Sequence, residues 1–230
     1  MKVFQIRMKV YMLKDIPVEK TQMEIASLID KSLAMKENLL EFHEKNQFKF
    51  YCFDLPYPME KDKVYKKGKI YTITIRTVKE GLAKYFYETI ANQFTDSIKG
   101  LTSEIRIIPK KIFDTLQTLT PVIVKTDDGY WKSTMNIEEY QENLRVNLIK
   151  KWNSFYDEKL DEDFEFCTLV EILNDKPVAF EYKKVKLLGD KIRLHIADDS
   201  TAQNLAYLAI GTGLGSMNSR GAGFAAYRYL

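Results

Sequence analysis

The sequence predicts an α+β protein made of two ferredoxin-like (RRM-like) units in tandem, each a four-stranded antiparallel sheet with helices on one face. Three observations lead there. The first 110 residues read strand, helix, strand, strand, helix, strand. The same order returns, more loosely, further along the chain. Finally, 230 residues at 45% hydrophobic suffice for one large domain or two small ones, with a real core to bury. The units are expected to span residues 1–112 and 113–230.

Residues 2–13 alternate, with Phe4, Ile6, Met8, Val10 and Met12 on one side and Gln5, Arg7, Lys9 and Tyr11 on the other. That is a half-buried strand. Residues 18–35 take helical period, with Ile25, Leu28, Ile29 and Leu33 on one stripe. Residues 38–47 read as a short helical or irregular link. Residues 48–55 and 69–78 are rich in aromatic and β-branched residues and read as strands. The segment between them holds Pro56, Pro58 and the basic run 61–69, a solvated hairpin tip. Residues 80–94 are helical through Leu82, Phe86, Ile90 and Phe94, and 103–110 is a strand stopped by Pro109.

In the second unit, residues 113–124 are strand-like. A long helix covers 136–156, with Ile137, Tyr140, Leu144, Leu148, Trp152 and Phe155 inward and a capping-box pair, Asn136 and Glu139, at its start. Strands are expected at 164–174, 178–188 and 191–197, with additional hairpin material decorating the unit. Residues 201–210 form a helix, with Ser200 and Gln203 as its capping pair. Residues 222–229 close the sheet.

The formal net charge of +3 is too small to demand a polyanionic partner, so local patches decide. The acidic run 157–165 reads as a solvated loop. Cys52 and Cys167 sit in apolar stretches and read as core residues in a reducing compartment. No Cys/His cluster has metal-ligand spacing, and no apolar run is long enough to span a bilayer. The alternating N-terminus is not a signal peptide. A cytoplasmic protein is expected.

Near the C-terminus, Gly213-Leu214-Gly215 is followed by Ser216-Met217-Asn218-Ser219-Arg220 and then by Gly221-Ala222-Gly223. Five of the ten glycines lie between 211 and 223, so they serve one local purpose. One reading is a tight turn from a helix into the last strand. A nucleotide cradle does not fit, because the spacing is not Gly-x-Gly-x-x-Gly and the loop runs from helix to strand. The third reading is contact with an RNA backbone, using glycine-exposed amides, Arg220, and the polar groups of Ser216, Asn218 and Ser219.

This loop resembles the C-terminal glycine-rich motif of the CRISPR-associated endoribonucleases that cut precursor CRISPR RNA within its repeats. Residues 213–223 meet every position of the pattern Gly-apolar-Gly, five residues with one basic, Gly-apolar-Gly. The segment Thr118-Leu119-Thr120-Pro121-Val122 and the duplicated ferredoxin-like order also look like that family. The resemblance implies repeat-RNA binding by Gly213, Gly215, Ser216, Asn218, Ser219, Arg220, Gly221 and Gly223. It implies cleavage without metal or cofactor.

Of the two histidines, His195 shares a strand face with Arg193 and reads as solvated, with an RNA contact as the second reading. By its residues alone, His43 is a loop histidine anchored by Phe42. The family's catalytic histidine commonly follows the first helix, with a lysine six residues on in some members, and His43 and Lys49 reproduce that spacing. The resemblance therefore implies that His43 transfers protons in an attack by the RNA 2′-hydroxyl on the adjacent phosphate, and that Lys49 offsets charge on the phosphorane. Products would be a 2′,3′-cyclic phosphate and a 5′-hydroxyl. Some relatives add a tyrosine on the first helix; Leu28-Ile29-Asp30-Lys31-Ser32 has none, and either Lys31, Tyr51 or Lys45 stands as a substitute or His43 acts with Lys49 alone. Two other readings stay open: a non-catalytic repeat-RNA-binding subunit of a CRISPR effector complex, and a ferredoxin-like nucleotide or small-molecule sensor. The expected partners are repeat RNA and other effector-complex subunits, with no membrane and a monomer or homodimer.

Overall fold

A computed structural model describes residues 1–127, 129–182 and 185–230. In chain order the first half holds β1 (Val3–Met12), β2 (Ile16–Pro17), α1 (Val18–Leu33), α2 (Glu37–Glu44), β3 (Tyr51–Phe53), β4 (Val64–Tyr65), β5 (Ile70–Thr77), α3 (Glu80–Thr89) and β6 (Ile98–Ile108). The second holds β7 (Phe113–Thr118), α4 (Ile137–Tyr156), β8 (Cys167–Ile172), β9 (Val178–Tyr182), β10 (Val185–Gly189), β11 (Ile192–Ile196), α5 (Ser200–Thr212) and β12 (Ala225–Tyr229).

The first sheet has the order β3-β5-β1-β6 and the second β12-β7-β11-β8. Every neighbouring pair is antiparallel. Numbered within each half, both sheets run second, third, first, fourth or its reverse. This is the tandem ferredoxin-like architecture expected from element order, with the inward stripe of α1 (Ile25, Leu28, Ile29, Leu33) fully buried.

Several boundaries move for physical reasons. β3 starts at Tyr51 rather than 48 because Phe50 has φ of 55°, outside the strand region. α3 ends at Thr89, and β6 begins at Ile98 to pair with Met12. The expected strand 178–188 is instead a hairpin, in which β9 and β10 pair with each other outside both main sheets; its residues 183 and 184 lie outside the described residues. The cap of α5 is Asp199, whose carboxylate accepts from Thr201 and Ala202 N–H. Gln203 serves elsewhere, bonding Phe113 and Ala197 backbone groups. The Asn136–Glu139 capping box is present. In the basic run, Lys66 pairs with Asp62 and Lys69 with Glu60, while Val64–Tyr65 pairs with Ile16–Pro17.

α5 joins the halves. Tyr207 on α5 accepts from Val3 N–H at 3.0 Å and donates to Ile108 O at 2.6 Å, tying β1 and β6 to the second core. From the other side, the buried Arg76 guanidinium on β5 donates to Ala225 O of β12 at 2.6 Å and covers the Phe224 ring. Among the described residues no helix is long and apolar enough to cross a membrane.

Candidate active site

The glycine loop begins where α5 ends at Thr212. The closing strand expected over 222–229 starts later: Gly221 and Gly223 both have positive φ, 96° and 67°, and β12 begins only at Ala225. Their missing side chains admit protein. A Cβ on Gly223 would lie 2.0 Å from Leu214 O, and one on Gly221 would lie 2.7 Å from the Phe53 ring. The loop amides are largely used as well. Those of Gly213, Leu214, Ser216, Gly221 and Gly223 donate to protein carbonyls. Two of these acceptors, Ile123 and Pro121, lie on the segment after β7, and Leu119 N–H donates back to Phe224 O.

Two residues hold the loop from inside. Asn218 donates through Nδ2 to Leu214 O (2.9 Å) and Ala222 O (3.0 Å), and its Oδ1 accepts from Lys151 Nζ at 2.7 Å. Lys151, on α4 and 2% exposed, also donates to Gly213 O and Gly215 O. Burial lowers its pKa to about 7. The Asn218 side chain is thus occupied within the protein, as a structural hub of the loop.

Outside the loop stands His43. α2 packs on α1 through Leu39 and Phe42, and His43, one residue on from Phe42, reaches the seam with the loop. Its Nδ1 lies 3.5 Å from Asp30 Oδ1 on α1. Its Nε2 lies 3.4 Å from Arg220 Nη2. Arg220 Nη1 donates to Asp30 Oδ2 at 2.5 Å. Burial alone would lower the Arg220 pKa, but the Asp30 carboxylate outweighs it and the net shift is upward. An arginine donating to Nε2 leaves that nitrogen bare and turns Nδ1–H toward Asp30. Among the described residues, neither Asp30 Oδ1 nor His43 Nδ1 has a closer hydrogen-bond partner. Gln22 on α1 fixes the loop to this wall by donating to Gly221 O at 2.7 Å.

The other candidates divide. Lys49 lies beside the cluster; its Nζ donates to Phe42 O and to Lys45 O, at 2.6 Å for the latter, so it caps the C-terminus of α2. Burial first, and the Arg220 charge second, lower its pKa. Tyr51 is buried with its hydroxyl beside Ser219, and among the described residues that hydroxyl has no close hydrogen-bond partner. Burial, and then Asp30, push its pKa up, so it remains a neutral O–H donor. Lys31 is turned elsewhere: it donates to Phe94 O at 2.8 Å and covers the Phe94 ring. Lys45 is paired with Glu41. His195 sits on the outer face of the second sheet, 2.6 Å from Glu171 Oε1.

Sequence reasoning missed Asp30 and Lys151. Lys151 had a signal. It lies three residues after Leu148 and seven after Leu144, on the inward stripe of α4, where a lysine is out of pattern. Trp152, assigned inward, is only partly buried. Asp30 carries no such mark.

The sequence profile described as "CRISPR associated protein Cas6, C-terminal" matches residues 103–227, more than half of the chain. The chain belongs to the Cas6 family. It is 30% identical over 164 residues to the CRISPR-associated endoribonuclease Cas6 1 of Methanocaldococcus jannaschii, an alignment covering 61% of this chain and 59% of that one. The match therefore spans less than two thirds of that relative. Among solved structures, "CRISPR associated protein Cas6" superposes with a TM-score of 0.69 at 23% identity, covering 98% of this chain and 99% of the other. "An RAMP protein binding different RNA substrates" gives 0.71 at 18% identity over 98% and 99%. These likenesses show that the Cas6 fold extends over the whole chain, including the half outside the profile match.

Proposed function

We propose that this Cas6 protein is a cytoplasmic endoribonuclease that cuts precursor CRISPR RNA within its repeats, by metal-independent attack of the 2′-hydroxyl on the adjacent phosphate. The observation that carries the proposal is the Asp30–Arg220–His43 cluster, which brings a histidine of the first half against the arginine of the glycine loop. The name of the curated relative supports the reaction class. In the proposal the division into units 1–112 and 113–230 gives each unit one side of the site.

Once Arg220 turns from Nε2 to the phosphate, His43 Nε2 takes the 2′-hydroxyl proton, and Asp30 stabilises the imidazolium through Nδ1–H. Such proton transfer contributes about 10²–10⁴-fold. Arg220 and Lys49 offset the charge that develops on the phosphorane. Tyr51, held as a neutral phenol, is the candidate donor to the leaving 5′-oxygen. The products are a 2′,3′-cyclic phosphate and a 5′-hydroxyl. The glycines shape the loop, while Ser216, Ser219 and Arg220 meet the strand.

One observation favours a second reading, a non-catalytic repeat-binding subunit of an effector complex: the Lys49 ammonium is engaged by α2 carbonyls rather than free for a phosphate. Incubation of the unaltered protein with its repeat RNA in EDTA decides. Cut product with a cyclic phosphate end supports the nuclease; tight binding with no cut product supports the subunit and ends the catalytic proposal.

A further inference from the structure

A cavity of about 560 Å³ lies between residues 45–51, α4 and the glycine loop. Four lysines line it (Lys45, Lys49, Lys125 and Lys151), and among the described residues no carboxylate does. Lys45 is paired outward with Glu41 and Lys49 caps α2. Lys125 is exposed. Lys151 is the unusual member, because its buried ammonium spends its three N–H groups on neutral oxygens and, among the described residues, has no carboxylate in contact. A buried positive charge left unopposed is unfavourable. An anion in the cavity would oppose it.

We propose that this cavity is a phosphate subsite separate from the His43 cluster, that it takes a backbone phosphate flanking the linkage to be cut, and that the phosphate is opposed from behind the wall by the Lys151 ammonium. The inference rests on the reading that the bound strand is RNA. Lys151 acts through space, since its donors are taken; direct contacts come from Lys125 and the Ser216 hydroxyl on the wall. The groups facing Lys151 are Cys52 on β3, a thiol that burial pushes up to about 12, and, around the cavity, the Tyr51 phenol, the other three lysines of the wall and an uncharged loop from 213 to 219. α5 adds only Thr212. Burial leaves Lys151 with a pKa of about 7 in the free protein. Above that pH it is largely neutral, an entering anion favours its charged form, and binding therefore takes up a proton.

The test titrates repeat RNA, made non-cleavable by a 2′-deoxy group at the cut, into wild type and Lys151→Arg at roughly pH 8. Calorimetry in two buffers of different ionisation enthalpy counts protons. Wild type is expected to take up as much as about one proton per complex, whereas Lys151→Arg, always charged, binds with similar affinity and takes up none. Lys125→Ala, on the exposed rim, guards against a misfolded arginine variant: its log Kd against log salt is expected to flatten by about 0.7. A single methylphosphonate linkage moved across the cut site should abolish uptake at one flanking position. Absence of uptake by wild type, equal uptake by Lys151→Arg, an unchanged slope for Lys125→Ala, or loss of uptake only at the cut linkage itself each overturns the subsite. RNA that does not bind at all overturns the functional reading with it, and so the two failures are distinguishable.

Discussion

Arg220 donates to Asp30 at 2.5 Å although 190 residues separate them in the chain. The pair spans the seam between α1 and the glycine loop, and His43 lies against both partners. Its position makes the seam testable.

His43→Ala should lower single-turnover cleavage of repeat RNA by about 10²–10⁴-fold while leaving RNA affinity within a few fold. Cleavage retained at the wild-type rate in EDTA would remove His43 from the mechanism.

Asp30→Ala should destabilise the fold and strand the Arg220 charge. Both side chains keep some exposure, 31% and 20%. The coupling in a double-mutant cycle with Arg220→Met is therefore expected at about 1–3 kcal/mol, below that of a fully buried pair. Urea unfolding of the four proteins measures it, and a coupling near zero would mean that water already screens the pair.

Gly223→Ala should cost about 2–4 kcal/mol, since the new Cβ would meet Leu214 O at 2.0 Å and φ is 67°. Gly81→Ala is the contrast. Nothing lies within 4 Å of its added Cβ and its φ is not positive, so helix α3 should gain as much as about 0.5–1 kcal/mol. Thermal melts of both variants, with equal losses at the two sites, would refute the packing account of the loop.

Lys151 links stability to pH. Its folded pKa, about 7, lies below the ordinary lysine value of 10.5, so between these pH values the unfolded chain binds more protons. Stability from this group therefore rises with pH across that window and is flat outside it. The difference between wild type and Lys151→Met, measured by urea melts at rising pH, should grow by as much as about 1.4 kcal/mol per unit inside the window. A difference independent of pH would show that the buried amine titrates normally.

Affinity for repeat RNA should fall with salt, as expected when phosphate contacts dominate. Filter binding at several salt concentrations gives the slope, and a slope near zero would exclude a backbone-tracking interface.

Element order and periodicity determined the tandem ferredoxin-like plan, because alternation in β1 and the stripe of α1 are local signals of which face is buried. The capping box of α4 was equally local, and the pattern of residues 213–223 marked a family motif without stating what its glycines touch. Only the tertiary structure decided that Gly223 makes room for Leu214 O, that Asn218 and Lys151 are the inner struts of the loop, and that Asp30 meets Arg220 and His43. Such pairings join residues far apart in the chain, where no spacing rule operates, and they are set by how α1, α4 and α5 pack against two sheets.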